Sequence, residues 1–266
     1  MGKVARARGI EVAYDDEGEG APVVLLHGFP FDRSLWRGQI EALAGDEFRF
    51  IAPDLRGHGE TTVVPDPATM EEMAEDVAAL LDRLKIERAV TGGLSMGGYV
   101  ALAFYRKFRE RVRALVLADT RPQSDTEEAR EAREVTARRA LEEGMGTIAD
   151  AMLPKLLAPA TFEQKPQVVE RVRAMILGTR PEGAAAALRG MAARRDQTDL
   201  LAEISVPALV IVGAEDSITP RSDAEAMRAK ITGSRMVVVE GAGHVSNLER
   251  PEEFNRALRD FLEGLG

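Results

Sequence analysis

Gly93-Leu94-Ser95-Met96-Gly97-Gly98 is the stretch whose reading decides the fold. The apolar run from Ala89 leads into it, and Tyr99-Val-Ala-Leu-Ala-Phe104 follows as a helix candidate. A G-x-S-x-G pattern between a strand and a helix describes a sharp turn that projects the serine hydroxyl into open space. Gly93 and Gly97 remove side chains where strand and helix come together, and the turn tolerates strained backbone angles. The free N–H groups at the helix start face any negative charge that develops beside Ser95. Ser95 is therefore the candidate nucleophile of an α/β chain.

Working outward, short apolar runs recur at Val23–Leu26, Phe48–Pro53, Ala89–Gly93, Leu115–Ala118, Ala208–Val212 and Met236–Val239. Runs of this length, rich in Leu and β-branched residues, suit strands buried on both faces of a parallel sheet. Helical patterns lie between them. Met70, Met73, Ala74, Val77, Leu80, Leu81 and Leu84 share one face, and Thr69 with Glu72 reads as a capping box. Phe254, Ala257, Leu258, Phe261 and Leu262 repeat the pattern after Pro251. The alternation predicts an α/β fold with a mainly parallel sheet.

From about Arg121 to Thr198 no strand signal occurs. Helical segments are expected near Glu127–Glu143, Thr147–Leu157, Gln164–Leu177 and Glu182–Arg194, punctuated by Pro154, Pro159, Pro166 and Pro181. This divides the chain into a core of residues 1–120 and 199–266 and a helical cap subdomain of 121–198. An insertion after a strand end lies where ligands sit in open α/β sheets. Met145, Met152, Leu153, Leu156, Leu157, Met175 and Leu177 are expected to serve mainly as packing. The arginines from Arg121 to Arg139 are expected to form a solvated helix face rather than a carboxylate clamp.

A serine hydroxyl needs a base. The chain has three histidines, His27, His58 and His244. Chains with such an elbow place their groups in the order serine, acid, histidine, and only His244 follows Ser95. His27 and His58 are expected to order their own loops through hydrogen bonds. The acid that orients the imidazole is Asp216, at the end of a strand, with Asp119 as rival and Glu215 as a weaker alternative. The oxyanion requires two donors. One is the Met96 amide, directly after the nucleophile. The other is the Phe29 amide in His27-Gly28-Phe29-Pro30, because Pro30 has no N–H. His27, Gly28, Gly93 and Gly97 are the supporting positions.

Composition limits the alternatives. The chain has 266 residues, 45% of them hydrophobic, enough for a sizeable core. A formal net charge of −9 does not suit a nucleic-acid partner, whose phosphates require a basic patch. With no cysteine, disulfides, thiolate metal sites and a cysteine nucleophile are excluded. There is no signal-like apolar segment, no run of membrane-span length, and Arg6 stands where myristoylation after Gly2 would want Ser or Thr. A soluble cytoplasmic chain without a metal or organic cofactor is the expectation. No residue pattern speaks to oligomeric state.

Taken together, HGFP at 27–30, DLRGHG at 54–59, GLSMGG at 93–98, GAED at 213–216 and GAGH at 241–244 resemble the α/β-hydrolase superfamily over nearly the whole chain. The resemblance implies an eight-stranded, mostly parallel sheet with flanking helices, a helical cap and a Ser95–Asp216–His244 triad. Within the superfamily the chain is most similar to small bacterial carboxylesterases, enol-lactonases and cofactor-free perhydrolases. Perhydrolase-like members often carry an aromatic residue before proline in the oxyanion loop and Met after the nucleophile, as Phe29, Pro30 and Met96 do here, although Trp is the commoner aromatic. Haloalkane dehalogenases and epoxide hydrolases use an aspartate nucleophile, which Ser95 replaces. The expected activity is hydrolysis of small apolar carboxylic esters through an acyl-enzyme. A lactonase, a C–C bond hydrolase or a perhydrolase with the same triad is the alternative. A non-catalytic ligand-binding protein is the remote one.

Overall fold

The computed structural model describes residues 2–64 and 67–266. Its strands are β1 (Lys3–Ala7), β2 (Ile10–Glu17), β3 (Ala21–Leu26), β4 (Phe48–Pro53), β5 (Ala89–Leu94), β6 (Val112–Ala118), β7 (Ala208–Gly213) and β8 (Arg235–Val239). They form one eight-stranded sheet in the order β1-β2-β4-β3-β5-β6-β7-β8. From β4 to β8 every pair is parallel, while β2 pairs antiparallel with both β1 and β4. This is the α/β-hydrolase arrangement the residues pointed to.

The parallel strands lie where the apolar runs put them, and β4 spans the residues expected. The central β5 and β7 are buried along their whole length, as strands covered on both faces must be. The N-terminal hairpin is new. Arg8 (φ 48°) and Gly9 (φ 83°) make its two-residue turn, whose positive φ values match the twist of a tight hairpin. Its alternating and charged residues carry no buried-strand signal.

Helices α1 (Arg37–Leu43), α2 (Met70–Arg83), α3 (Met96–Lys107), α4 (Glu127–Glu143), α5 (Met145–Leu156), α6 (Pro159–Gln164), α7 (Pro166–Gly178), α8 (Pro181–Ala192), α9 (Arg221–Lys230), α10 (Ser246–Glu249) and α11 (Pro251–Glu263) complete the chain. The Thr69–Glu72 capping box opens α2. Buried Phe254, Leu258, Phe261 and Leu262 seat α11. Helices α4 to α8 all fall between β6 and β7. Pro159, Pro166 and Pro181 start helices, where the missing N–H costs nothing, whereas Pro154 lies inside α5. The helix expected near Gln164–Leu177 is α7, and the short α6 before it, ending at Gln164, is not among the expected helices. Among the described residues no helix is long and apolar enough to cross a membrane.

The chain leaves β3 for β4 on one side and returns to β5 on the other. The loops after β3 and β5 therefore part at this switch, which opens a crevice at the carboxyl ends of the strands. Ser95 follows β5 at that edge. Asp119 follows β6, Asp216 follows β7 and His244 follows β8.

Candidate active site

Ser95 has φ 55° and ψ −113°, a left-handed conformation that costs a non-glycine residue roughly 1–3 kcal/mol. Its surroundings hold it there. The Ser95 amide donates to Ala118 O (2.9 Å), while Ser95 O accepts from the Gly98 amide (2.9 Å) and the Thr120 hydroxyl (2.8 Å). Close approach explains the glycines. A Cβ on Gly93 would lie 2.1 Å from the Gly97 carbonyl carbon, and one on Gly97 would lie 2.1 Å from Leu26 O. Strand, elbow and helix α3 are thus pressed against the end of β3. The serine is only 9% exposed.

The loop after β3 meets this elbow directly, since a Cβ on Gly28 would sit 3.4 Å from Ser95 Cβ. Among the described residues neither the Phe29 nor the Met96 amide donates to a backbone carbonyl. Met96 opens α3, so its amide has no partner within the helix. The Phe29–Pro30 peptide is cis, and Thr179 of the helical insertion donates its hydroxyl to Pro30 O (2.7 Å).

His27 braces the loop rather than facing chemistry. Its Nε2 accepts from the Leu55 amide (2.9 Å), so Nδ1 carries the proton and donates to Gly28 O (2.9 Å). Burial lowers its pKa and keeps it neutral. His58 packs 5.0 Å from the His27 ring and places Nδ1 3.2 Å from Arg56 O. Burial, then the neighbouring His27, pull its pKa down to about 3. Its buried Nε2 has no partner among the described residues. Both histidines organise loops, His27 through two hydrogen bonds and His58 through one.

His244 is the histidine paired with an acid. Its Nδ1 lies 2.8 Å from Asp216 Oδ2, and both side chains are buried. The same Asp216 oxygen accepts from the Thr219 hydroxyl (2.7 Å), and Oδ1 accepts from the Ile218 and Thr219 amides (2.8 and 3.0 Å). Burial raises the Asp216 pKa, but the His244 charge and these hydrogen bonds bring it below the usual value. Burial likewise lowers the His244 pKa, yet Asp216 and then Asp119 raise it overall. Asp119 turns elsewhere. Its carboxyl bonds the Gly213 amide (2.8 Å) and the Ser246 hydroxyl (2.6 Å). Burial and the Asp216 charge drive its pKa up to about 8. Glu215 is exposed. The geometry therefore joins Asp216, not its rivals, to the imidazole.

Sequence reasoning missed several supports. Thr120 and Thr219 fix the elbow and the acid, and single threonines in loops carry no pattern. Glu249 is fully buried beneath the His244 loop, though its sequence context reads as a helix end. The arginines of the insertion also differ from expectation. Arg133 and buried Arg194 pair with Asp125, whose side chain is inaccessible, and Arg121 stands 3.7 Å from the same carboxylate. Arg130, Arg138 and Arg139 form the expected solvated face. Of the seven apolar insertion residues named above, all pack as expected except Leu177, which is exposed. No group of three or more His, Asp or Glu residues among those described converges on a metal position.

Comparison with known proteins agrees with this fold. The family model for the α/β hydrolase fold matches residues 21–251. The chain is 33% identical to 3-oxoadipate enol-lactonase 2 of Acinetobacter baylyi, over 86% of this chain and 84% of that one. Among solved structures, a thermophilic esterase from Thermogutta terrifontis with malate bound is 49% identical. It superposes with a TM-score of 0.95 over 99% of this chain and 97% of that one. The enol-lactonase of Burkholderia xenovorans LB400 is 34% identical, with a TM-score of 0.91 over 98% of this chain and all of that one (100%).

Proposed function

The chain belongs to the α/β-hydrolase family, and from that premise we propose that it hydrolyses small carboxylic esters through an acyl-enzyme on Ser95. The observation that carries this reading is the strained Ser95 elbow on the same sheet edge as the 2.8 Å His244–Asp216 pair. The likeness to an esterase at 49% identity supports the bond class.

In this mechanism His244 Nε2 takes the Ser95 proton as Oγ attacks the ester carbonyl. Asp216 holds the tautomer with Nδ1 protonated and stabilises the imidazolium. The tetrahedral oxyanion is met by the Phe29 and Met96 amides. Collapse expels the alcohol, which takes its proton from His244. Water then enters, gives a proton to the neutral His244 and attacks the acyl group. The second collapse releases the acid and returns the proton to Ser95. Helices α4 to α8, residues 121–198, form the cap over this site, and the sheet with its flanking helices forms the core.

A lactone is the second substrate class, favoured by the 33–34% identity to enol-lactonases. Ring opening uses the same steps, with the leaving alcohol still tethered to the acyl group.

Hydrolysis of p-nitrophenyl acetate and a lactone panel tests the reading. Ser95→Ala is expected to lower kcat by about a thousandfold or more and to abolish labelling by a fluorophosphonate. Wild-type rates in that variant would overturn the assignment.

A further inference from the structure

We propose that Glu249 is a positioning residue that couples the helical insertion to the base His244, an inference that rests on the hydrolase reading above. Glu249 ends α10 and is fully buried, where a carboxylate is tolerated only when its oxygens are hydrogen-bonded. Its partners come from two sides. Oε1 accepts from the Gly243 amide (2.7 Å), one residue before His244. Oε2 accepts from the Ala158 amide (2.8 Å) and the Thr161 hydroxyl (2.6 Å), both at the start of α6. The Glu249 carbonyl accepts from the Lys165 ammonium, at the other end of α6.

A second strut runs alongside. The His244 amide donates to Leu156 O (2.8 Å), at the end of α5. A Cβ on Gly243 would meet Ala158 N at 2.8 Å, so the loop and the α5–α6 junction have no slack between them. Proton transfer between Ser95, His244 and Asp216 does not require this carboxylate, which hydrogen-bonds none of the three. Its two oxygens bind the insertion on one side and the histidine loop on the other. A displacement of α6 therefore reaches Gly243 and, one peptide later, the imidazole. The base is correctly placed only while the insertion is seated.

Steady-state hydrolysis of p-nitrophenyl acetate and the rate of fluorophosphonate labelling of Ser95 test the coupling. Both are measured at a temperature where circular dichroism shows each variant folded. In Glu249→Gln one oxygen becomes an NH2 group facing a donor. Because displacing a reacting group by about 1 Å can cost a hundredfold, kcat and labelling are expected to fall about tenfold to a hundredfold, with KM within about twofold. Thr161→Val removes only the insertion-side hydroxyl and is expected to lower kcat in the same sense. Thr161→Ser should recover the larger part of that loss. A purely architectural role would lower the melting temperature and leave kcat of the folded protein alone. Wild-type kcat and labelling in folded Glu249→Gln would overturn the proposal. If that variant does not fold, equal and undiminished rates in the two Thr161 variants overturn it instead. A wild-type protein that neither hydrolyses esters nor labels at Ser95 would remove the hydrolase reading, and this inference with it.

Discussion

Asp119 and Asp216 end neighbouring strands, both act on His244, and their pKa values are driven apart. The difference lies in their partners. Asp216 accepts from four groups including the imidazole, whereas Asp119 is fully buried with two. Asp216→Asn is expected to lower kcat/KM by roughly a thousandfold or more, because the amide cannot hold the productive tautomer. Asp119→Asn keeps an acceptor for Gly213 and should cost far less. The reverse ranking would exchange their roles. As the proposed base, His244 would act only when neutral, and its pKa is raised. The acid limb of kcat/KM should therefore inflect above the usual histidine value of about 6.5, and Asp216→Asn should move it down. Asp119 also has a stability consequence. Its folded pKa of about 8 exceeds the unfolded value of about 3.9, so between these limits the folded state holds the extra proton and stability falls as pH rises. Asn cannot ionise. The melting temperature of Asp119→Asn minus that of wild type should increase from about pH 5 to about pH 9, and a flat difference would contradict the assignment.

At the scale of elements, the contact between β5, α3 and the end of β3 leaves no room for a methyl group. Gly97→Ala is expected to destabilise by about 3 kcal/mol or more, since the obstructing Leu26 O is main chain. Gly146, in the first turn of α5, has open space where a Cβ would stand, with no obstructing atom within 4 Å. Gly146→Ala should be neutral or stabilising by up to about 1 kcal/mol. Urea unfolding of the pair checks both, and similar midpoints would refute the close-approach argument. These elements were also the legible ones. Burial on both faces writes β3 to β7 as apolar runs, and Thr126 to Gly144 brackets α4 with polar and glycine ends, so its limits agree with the sequence reading. The hairpin was not legible, because β1 is an edge strand and Asp15-Asp16-Glu17 looks like a loop. Ser95, Asp216 and His244 could be named because each follows an apolar run. Glu249 and Thr120 could not, because their partners are distant in sequence or are backbone groups, and Thr219, though only three residues from Asp216, is a lone loop threonine that carries no pattern.

At the scale of the molecule, the insertion is fastened to the rest at many points rather than at its two ends alone. Its ends pair through the Gln197 amide and Pro122 O (2.8 Å), and Arg194 stacks 4.3 Å over Tyr99 of α3. Arg194 also donates to Gln123 O and shares Asp125 with Arg133. Farther out, the Ala68 amide donates to Ala186 O (3.0 Å), Thr179 bonds Pro30 O, and Glu249 spans Gly243 and α6. Gly57 and Gly183 bring two backbones into direct contact, with a Cβ on Gly183 falling 1.9 Å from Gly57 O. Most of these links are buried, so releasing the insertion would exchange many hydrogen bonds for water at about 0.5–1.5 kcal/mol each and expose the apolar surface it covers. Opening the insertion should therefore cost nearly as much as unfolding the chain. Calorimetry is expected to show one transition with equal calorimetric and van't Hoff enthalpies. Asp125→Ala, which leaves Arg194 buried without its carboxylate, should lower that single transition by about 3–5 kcal/mol rather than split it. Two resolved transitions, in wild type or variant, would instead make residues 121–198 a unit that unfolds by itself, and would separate the seating of the insertion from the integrity of the sheet.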